Sequence, residues 1–206
     1  MRVVIKVGTS TLTHSTGNIN VRLFEKFCQV VSDVKNAGNE VILVSSGAIA
    51  MGRSKLSLTT RPTDMPTKQA AAAVGQCELM YFYDKHFSEY HQDVAQILIT
   101  AEDLQEGERR THFGNTLERL IELDALPIIN ENDTVSTAEI VVGDNDTLSA
   151  YVSTTVKADL LILLSDIDGL FSADPHVDKN AKLLTLVEEI TPEIEKAAGG
   201  SLSGLG

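Results

Sequence analysis

Lys6 interrupts an apolar run, Val3-Val4-Ile5-Lys6-Val7, two residues ahead of Gly8. A lysine so placed has two readings: an edge-strand side chain reaching water, or a fixed ammonium beside the phosphates of a transferred phosphoryl group. Ser46, in Ser45-Ser46-Gly47-Ala48, is either a simple helix N-cap or a group at a helix N-terminus that hydrogen-bonds a substrate carboxylate. The hydrolase elbow GxSxG is not written here, because Val44-Ser45 precede Ser46. His14, His86, His91, His112 and His176 all fall in helical or loop stretches, so none is placed as its base. Gly143-Asp144-Asn145-Asp146 follows shortly after Asn130-Glu131-Asn132-Asp133. Helix capping accounts for one residue of such a run; the others make a polar cluster suited to an amino group and to metal-bound phosphates. The alternating spacing and closing glutamate of an EF-hand calcium loop are absent.

Short β-branched runs alternate with helical stretches. Strands are expected at Arg2–Val7, Val41–Ser45, Val94–Thr100, Leu126–Asn130 and Leu160–Leu164, and a shorter one near Leu183–Val187. Helices are expected at Leu23–Ala37 with Gly38 as its cap, Thr67–Tyr90, His112–Asp124, Thr147–Lys157 and after Pro192. Several strands are apolar on both faces, as when helices cover both sides of a parallel sheet. The pattern implies an α/β fold, an open, mainly parallel sheet sandwiched between helices. In such sheets ligands bind beyond the carboxyl ends of the strands. Here the strands end in Lys6-Val7-Gly8-Thr9-Ser10, Ser45-Ser46-Gly47-Ala48, Asn130-Glu131-Asn132-Asp133 and Ser165-Asp166, small or polar segments whose backbone N–H groups can approach phosphate oxygens.

With 206 residues, 43% of them hydrophobic and 22% charged, the chain has the balance of a globular protein. The formal net charge of −12 argues against sequence-independent nucleic-acid binding, and an anionic ligand would need positive potential concentrated at one place. Cys28 and Cys77 have no CxxC spacing and read as reduced core residues. No signal peptide or membrane-crossing run is visible. Neither GxxxxGK[ST] nor GxGxxG occurs, so a phosphate site must be built another way. One domain over residues 1–206 is the economical reading, although Gly199, Gly200, Gly204 and Gly206 make an unusual place for a domain to stop.

Taken together, the chain resembles the amino-acid-kinase family. The matching segments are VVIKVGTS (Val3–Ser10), SSGAIAMGR (Ser45–Arg53), KQAAAAVGQ (Lys68–Gln76), PIINENDTVSTAEI (Pro127–Ile140), VGDNDTLSA (Val142–Ala150), LLSDIDGLFSADP (Leu163–Pro175) and SLSGLG (Ser201–Gly206). Each is weak alone, but in the family's order they are specific, and the INEND…GDND pair points to the branch that phosphorylates glutamate.

The resemblance implies a three-layer αβα sandwich and ATP-dependent phosphorylation of the glutamate γ-carboxylate, the first step of proline biosynthesis. It implies that Lys6 is the phosphate-binding catalytic lysine and that Asp146 organises the catalytic lysines. Ser46, Asp133 and Asn145 fall at glutamate-binding positions, and Lys6, Gly8, Ser165 and Asp166 at nucleotide-binding ones. It further implies Mg²⁺ with ATP, a cytoplasmic homo-oligomer, proline as feedback inhibitor, and neither nucleic acid nor membrane as partner. The family pattern continues past Gly206 with a TGGM segment and a second catalytic lysine, so the C-terminal part of the domain is expected to be missing from this sequence. There is no room for the additional RNA-binding-like domain some members carry. Val141 stands where some members have a basic residue, which bears on glutamate affinity and proline sensitivity. The alternatives are a sibling kinase acting on acetylglutamate or aspartate, and a non-catalytic amino-acid sensor on the same fold.

Overall fold

A computed structural model describes residues 1–14, 16, 18–135 and 145–198. The chain divides into two compact units, Met1–Leu164 and Ser165–Gly206. The first unit is built on five strands, β1 (Arg2–Val7), β2 (Glu40–Ser45), β3 (Val94–Ile99), β4 (Leu126–Glu131) and β5 (Leu160–Leu164). All neighbours are parallel, in the order β3-β4-β2-β1-β5. Between the strands run α1 (Thr9–Leu12), α2 (Val21–Asn36), α3 (Ala48–Lys55), α4 (Met65–Ser88), a short 3-10 turn (Ala101–Leu104), α5 (Glu108–Glu122) and α6 (Asn145–Thr155). The second unit contains α7 (Pro192–Ala198).

Local chemistry explains the helix ends. Asn20 Oδ1 accepts from Leu23 N and opens α2, and Gly38 takes the left-handed φ of 89° just past its end. Asp64 Oδ1 accepts from Thr67 N, and Pro66 sits in the first turn of α4, where its missing N–H costs nothing.

Strand side chains alternate between faces, and the core divides accordingly. Val3, Ile5, Val7, Val41, Leu43, Leu126 and Ile128 pack against Phe24, Phe27, Val31, Leu79 and Tyr83 of α2 and α4. Val4, Ile42, Val44 and Ile129 pack against Phe113 and Leu117 of α5 and Leu148 and Val152 of α6. The result is the three-layer sandwich the pattern implies. Parity then fixes Lys6: it shares the face of Val4, which α6 covers.

A second device sets the carboxyl edge. The α3 and α4 backbones meet at two glycines. A Cβ on Gly75 would lie 1.7 Å from Ala48 O, and one on Gly52 would lie 1.8 Å from Ala71 O. No side chain fits at either position, so α3 is held directly on α4.

Several expectations change. β1 is an interior strand, flanked by β2 and β5, so Lys6 is no edge lysine. Cys28 is buried as expected, but Cys77 is exposed, because it lies on the outward side of α4. Near Leu183–Val187 there is only a single antiparallel bridge, Phe171 to Leu183, rather than a strand; Leu186 there is solvent-exposed, so that run has no layer to pack on. The expected glycine cluster at 199–206 lies outside the described residues, as do Gly143 and Asp144.

Candidate active site at the carboxyl edge of the sheet

Because every strand of the first unit is parallel, the carboxyl ends of β1, β2 and β4 open on one edge. The loop after β2 turns sharply at Gly47, whose φ of 110° belongs to the left-handed region. That turn starts α3 and presents Ser46. The amino end of α6 arrives at the same edge from below the other face.

Its first two residues divide the work. Asp146 Oδ1 lies 2.6 Å from Lys6 Nζ, and the lysine side chain is only 12% exposed. Asn145 turns its Nδ2 toward the sheet, 2.8 Å from Ser46 Oγ, 3.0 Å from the Ser45 carbonyl and 3.1 Å from Asn130 Oδ1. The charged pair and the amide contacts therefore meet over one helix turn. Gly8 sits next to the ammonium: a Cβ there would be 3.5 Å from Lys6 Nζ and 3.6 Å from Leu164 O, whose oxygen already accepts from Gly8 N at 3.3 Å.

The hydrogen bonds continue inward. Asn130 Oδ1 accepts from Glu131 N at 2.9 Å, and Asn130 Nδ2 donates to Gln76 Oε1 of α4 at 2.9 Å. Ser45 Oγ and the buried Tyr83 hydroxyl are 2.8 Å apart, and burial drives the Tyr83 phenol pKa upward. Asp133 shares a small cleft with Ala48, Gln76 and Thr134. Its carboxyl is pushed up to about 6, mainly by burial and secondly by the charge of Glu131. A wider groove of about 450 Å³, lined by Arg110, Glu118, Thr154 and Thr155 among others, contains none of these residues.

Thus Lys6, Gly8, Ser46, Asn145 and Asp146 are brought together, and Asp133 joins them through the Gln76 cleft. Ser165 and Asp166 open the second unit, where Ser165 Oγ lies 3.3 Å from Asp166 Oδ1. The sequence alone assigns no role to Gln76, Ser45 and Tyr83. The available signal was Gln76 itself, a polar side chain directly after the close-packed Gly75 in an alanine-rich helix.

Comparison with known proteins agrees with this architecture. The sequence profile of the amino acid kinase family matches residues 1–204. A protein of Clostridium perfringens named glutamate 5-kinase is 51% identical over 209 residues, covering 100% of this chain and 78% of its own length. Another of that name, from Caldanaerobacter subterraneus subsp. tengcongensis, is 50% identical over 201 residues, covering 98% of this chain and 54% of its own, so this chain spans about half the length of that relative. Among solved structures, an isopentenyl phosphate kinase substrate complex superposes with a TM-score of 0.64 at 19% identity, covering 96% of this chain and 83% of the other. A T. acidophilum isopentenyl phosphate kinase product complex gives 0.62 at 19% identity, over 89% and 78%. At that identity the structures speak for the fold alone. The sequence matches go further, and this chain belongs to the amino acid kinase family.

Proposed function

We propose that the protein transfers the γ-phosphoryl group of ATP to the γ-carboxylate of glutamate, giving glutamate 5-phosphate and ADP. The observation that carries the reading is the convergence at the start of α6, where adjacent residues hold the Lys6 ammonium and the Ser46 hydroxyl. Relatives about half identical and named glutamate 5-kinase support it.

A carboxylate with a pKa of about 4.3 is ionised at pH 7, so no general base is needed. The γ-carboxylate oxygen attacks phosphorus in line, the bond to the bridging oxygen breaks, and ADP leaves with that electron pair. The obstacle is bringing two anions together, which positioning and local positive charge overcome. Lys6, oriented by Asp146, faces the transferred phosphoryl group. Ser46, Asn145 and Asp133 grip the amino acid, Asp133 being the carboxylate suited to its ammonium. Gly8, with no side chain, leaves the space beside the ammonium open for phosphate, and Ser165 and Asp166 are assigned to the nucleotide on family resemblance.

Mg²⁺ is expected with ATP. The described residues contain no group of three or more His, Cys, Asp or Glu able to hold a metal. Mg²⁺ bound with a nucleotide is generally held by phosphate oxygens, water and one or two carboxylates. Proline inhibition, assembly as a homo-oligomer and a cytoplasmic setting rest on the resemblance; among the described residues no helix is long and apolar enough to cross a membrane.

The test compares ADP release by the full-length protein with glutamate, acetylglutamate and aspartate. Glutamate should be the preferred acceptor by a wide margin. A preference for either of the others makes it a sibling carboxylate kinase, and binding without turnover makes it a sensor.

A further inference from the structure

We infer that Gln76 is a positioning residue for the amino-acid acceptor, acting through Asn130 on the side-chain amide of Asn145. The inference rests on the reading of Asn145 as a glutamate-binding residue.

The argument is one of donors and acceptors. A backbone N–H can only donate, so the oxygen of Asn130 must face Glu131 N, at 2.9 Å. Its nitrogen then points the other way, into the buried side of α4, where Gln76 Oε1 receives it at 2.9 Å. A backbone carbonyl can only accept, so Asn145 must turn its nitrogen to Ser45 O, at 3.0 Å, and that same nitrogen reaches Asn130 Oδ1 at 3.1 Å. Two backbone groups thus orient the whole relay, with no ambiguity about which end of each amide is which. Asn145 commits its nitrogen inward, and the oxygen is the end of the amide suited to a donor such as an amino acid's ammonium.

Gln76 is 8% exposed and Asn130 4%. If the Gln76 acceptor is lost, the Asn130 nitrogen is buried without a partner. Asn130 cannot escape by flipping, since its NH₂ would then face the Glu131 N–H. The amide must tilt instead, and Asn145 loses one of its fixed acceptors. Gln76 is held in place for this task by the backbone contact at the adjacent Gly75. Nothing in the relay touches Lys6, so the effect should fall on the acceptor rather than on the nucleotide or the phosphoryl transfer.

Steady-state kinetics of the full-length enzyme test this with Gln76→Leu, Gln76→Glu, Asn145→Ala and the Gln76→Leu/Asn145→Ala double variant. Leaving one buried donor unpaired should raise the glutamate KM about 10-fold in Gln76→Leu. The ATP KM and kcat should stay within about 3-fold. Gln76→Glu, which offers an acceptor oxygen whether or not it is protonated, should return the glutamate KM toward that of the parent. In the Asn145→Ala background Gln76→Leu should add little, because the two act in series. If Gln76→Leu does not fold, Asn130→Ala breaks the same link and must show the same selective rise. A normal glutamate KM in Gln76→Leu beside a raised one in Asn145→Ala overturns the positioning role and leaves the glutamate reading standing. Equal losses toward both substrates, not rescued by Gln76→Glu, also overturn it as merely structural. An unchanged KM in Asn145→Ala removes the glutamate reading itself, and this inference with it.

Discussion

β1 carries a cation at each end, and the two ends are treated very differently. Arg2, at the amino end, has its guanidinium bound on several sides: Nε to Glu40 at 2.8 Å, Nη1 and Nη2 to Glu118 at 2.6 and 2.9 Å, and Nη1 also to Val156 O at 2.6 Å. Lys6, at the carboxyl end of the same face, is paired with Asp146. One partner at each end comes from α6 or lies just past it, Asp146 in its first turn and Val156 after its last residue, while Glu40 and Glu118 belong to β2 and α5. One helix therefore reaches both ends of one strand, with β2 and α5 sharing the hold on Arg2. At the bottom, two carboxylates and a carbonyl occupy four of the five N–H groups of a planar fork, which makes a fastening. At the top, a compact ammonium keeps hydrogens beyond those its carboxylate takes, beside a glycine, on the edge where an α/β sheet binds its ligands. Burial does not separate them, at 19% and 12% exposed; satisfaction does.

The largest way to break that contrast is Lys6→Ala. Deleting one preorganised cation should lower kcat by ~10²–10³, as for a single donor at an oxyanion site, while unfolding free energy changes by less than about 1 kcal/mol. Near-normal turnover would remove Lys6 from the chemistry. Gly75→Ala sharpens the contrast from the neighbouring wall, where fold and site cannot be separated. With 1.7 Å to Ala48 O, a methyl group must push α3 off α4, and a loss of about 3 kcal/mol in urea unfolding is expected, together with a weaker grip on the acceptor.

The sequence made one of these ends readable and hid the other. A lysine breaking an apolar strand just before a glycine is conspicuous, and so are the polar strand ends. Arg2 gives no sign, because its partners lie far along the chain and are two ordinary glutamates and a backbone carbonyl. The same blindness applied to Lys6's neighbourhood: edge and interior strands read alike when β5, which closes over β1, comes last in the sheet. The Gln76 relay was hidden for a related reason. Alternation announces which side chains are inside, but not which buried amides face each other across elements. The strand near Leu183–Val187 was over-read, since β-branched residues favour a strand only when a neighbour pairs along its length.

A smaller effect comes from pH. Asp133 is held up at about 6, largely by burial. In the proposed role Asp133 receives the acceptor's ammonium in its ionised form, so affinity should fall as protons fill it. Between pH 7 and 5 the glutamate KM should rise about 10-fold, following the ionised fraction, and Asp133→Asn should flatten that profile while raising KM throughout. Stability runs the other way. With its folded pKa raised, the carboxyl contributes most below the ordinary carboxylate range, and the contribution is lost as pH rises through about 6. Asp133→Asn should therefore be the more stable protein at pH 7, by thermal unfolding. A flat KM profile in the parent would take Asp133 out of the acceptor site.

The smallest expected change closes the comparison at the other end of the strand. Arg2→Ala removes a fork whose carboxylate partners are each 47% exposed, so water takes over much of what the guanidinium supplied, and about 1 kcal/mol of stability should be lost. Higher salt should shrink the difference, because the pairs are screened where they meet solvent. Turnover and both KM values should be unchanged, since α6 keeps its upper anchor at Lys6 and Asp146. A fall in kcat at Arg2→Ala with the fold intact would mean that α6 transmits its lower fastening to the site, and the two ends of β1 would then be one device instead of two.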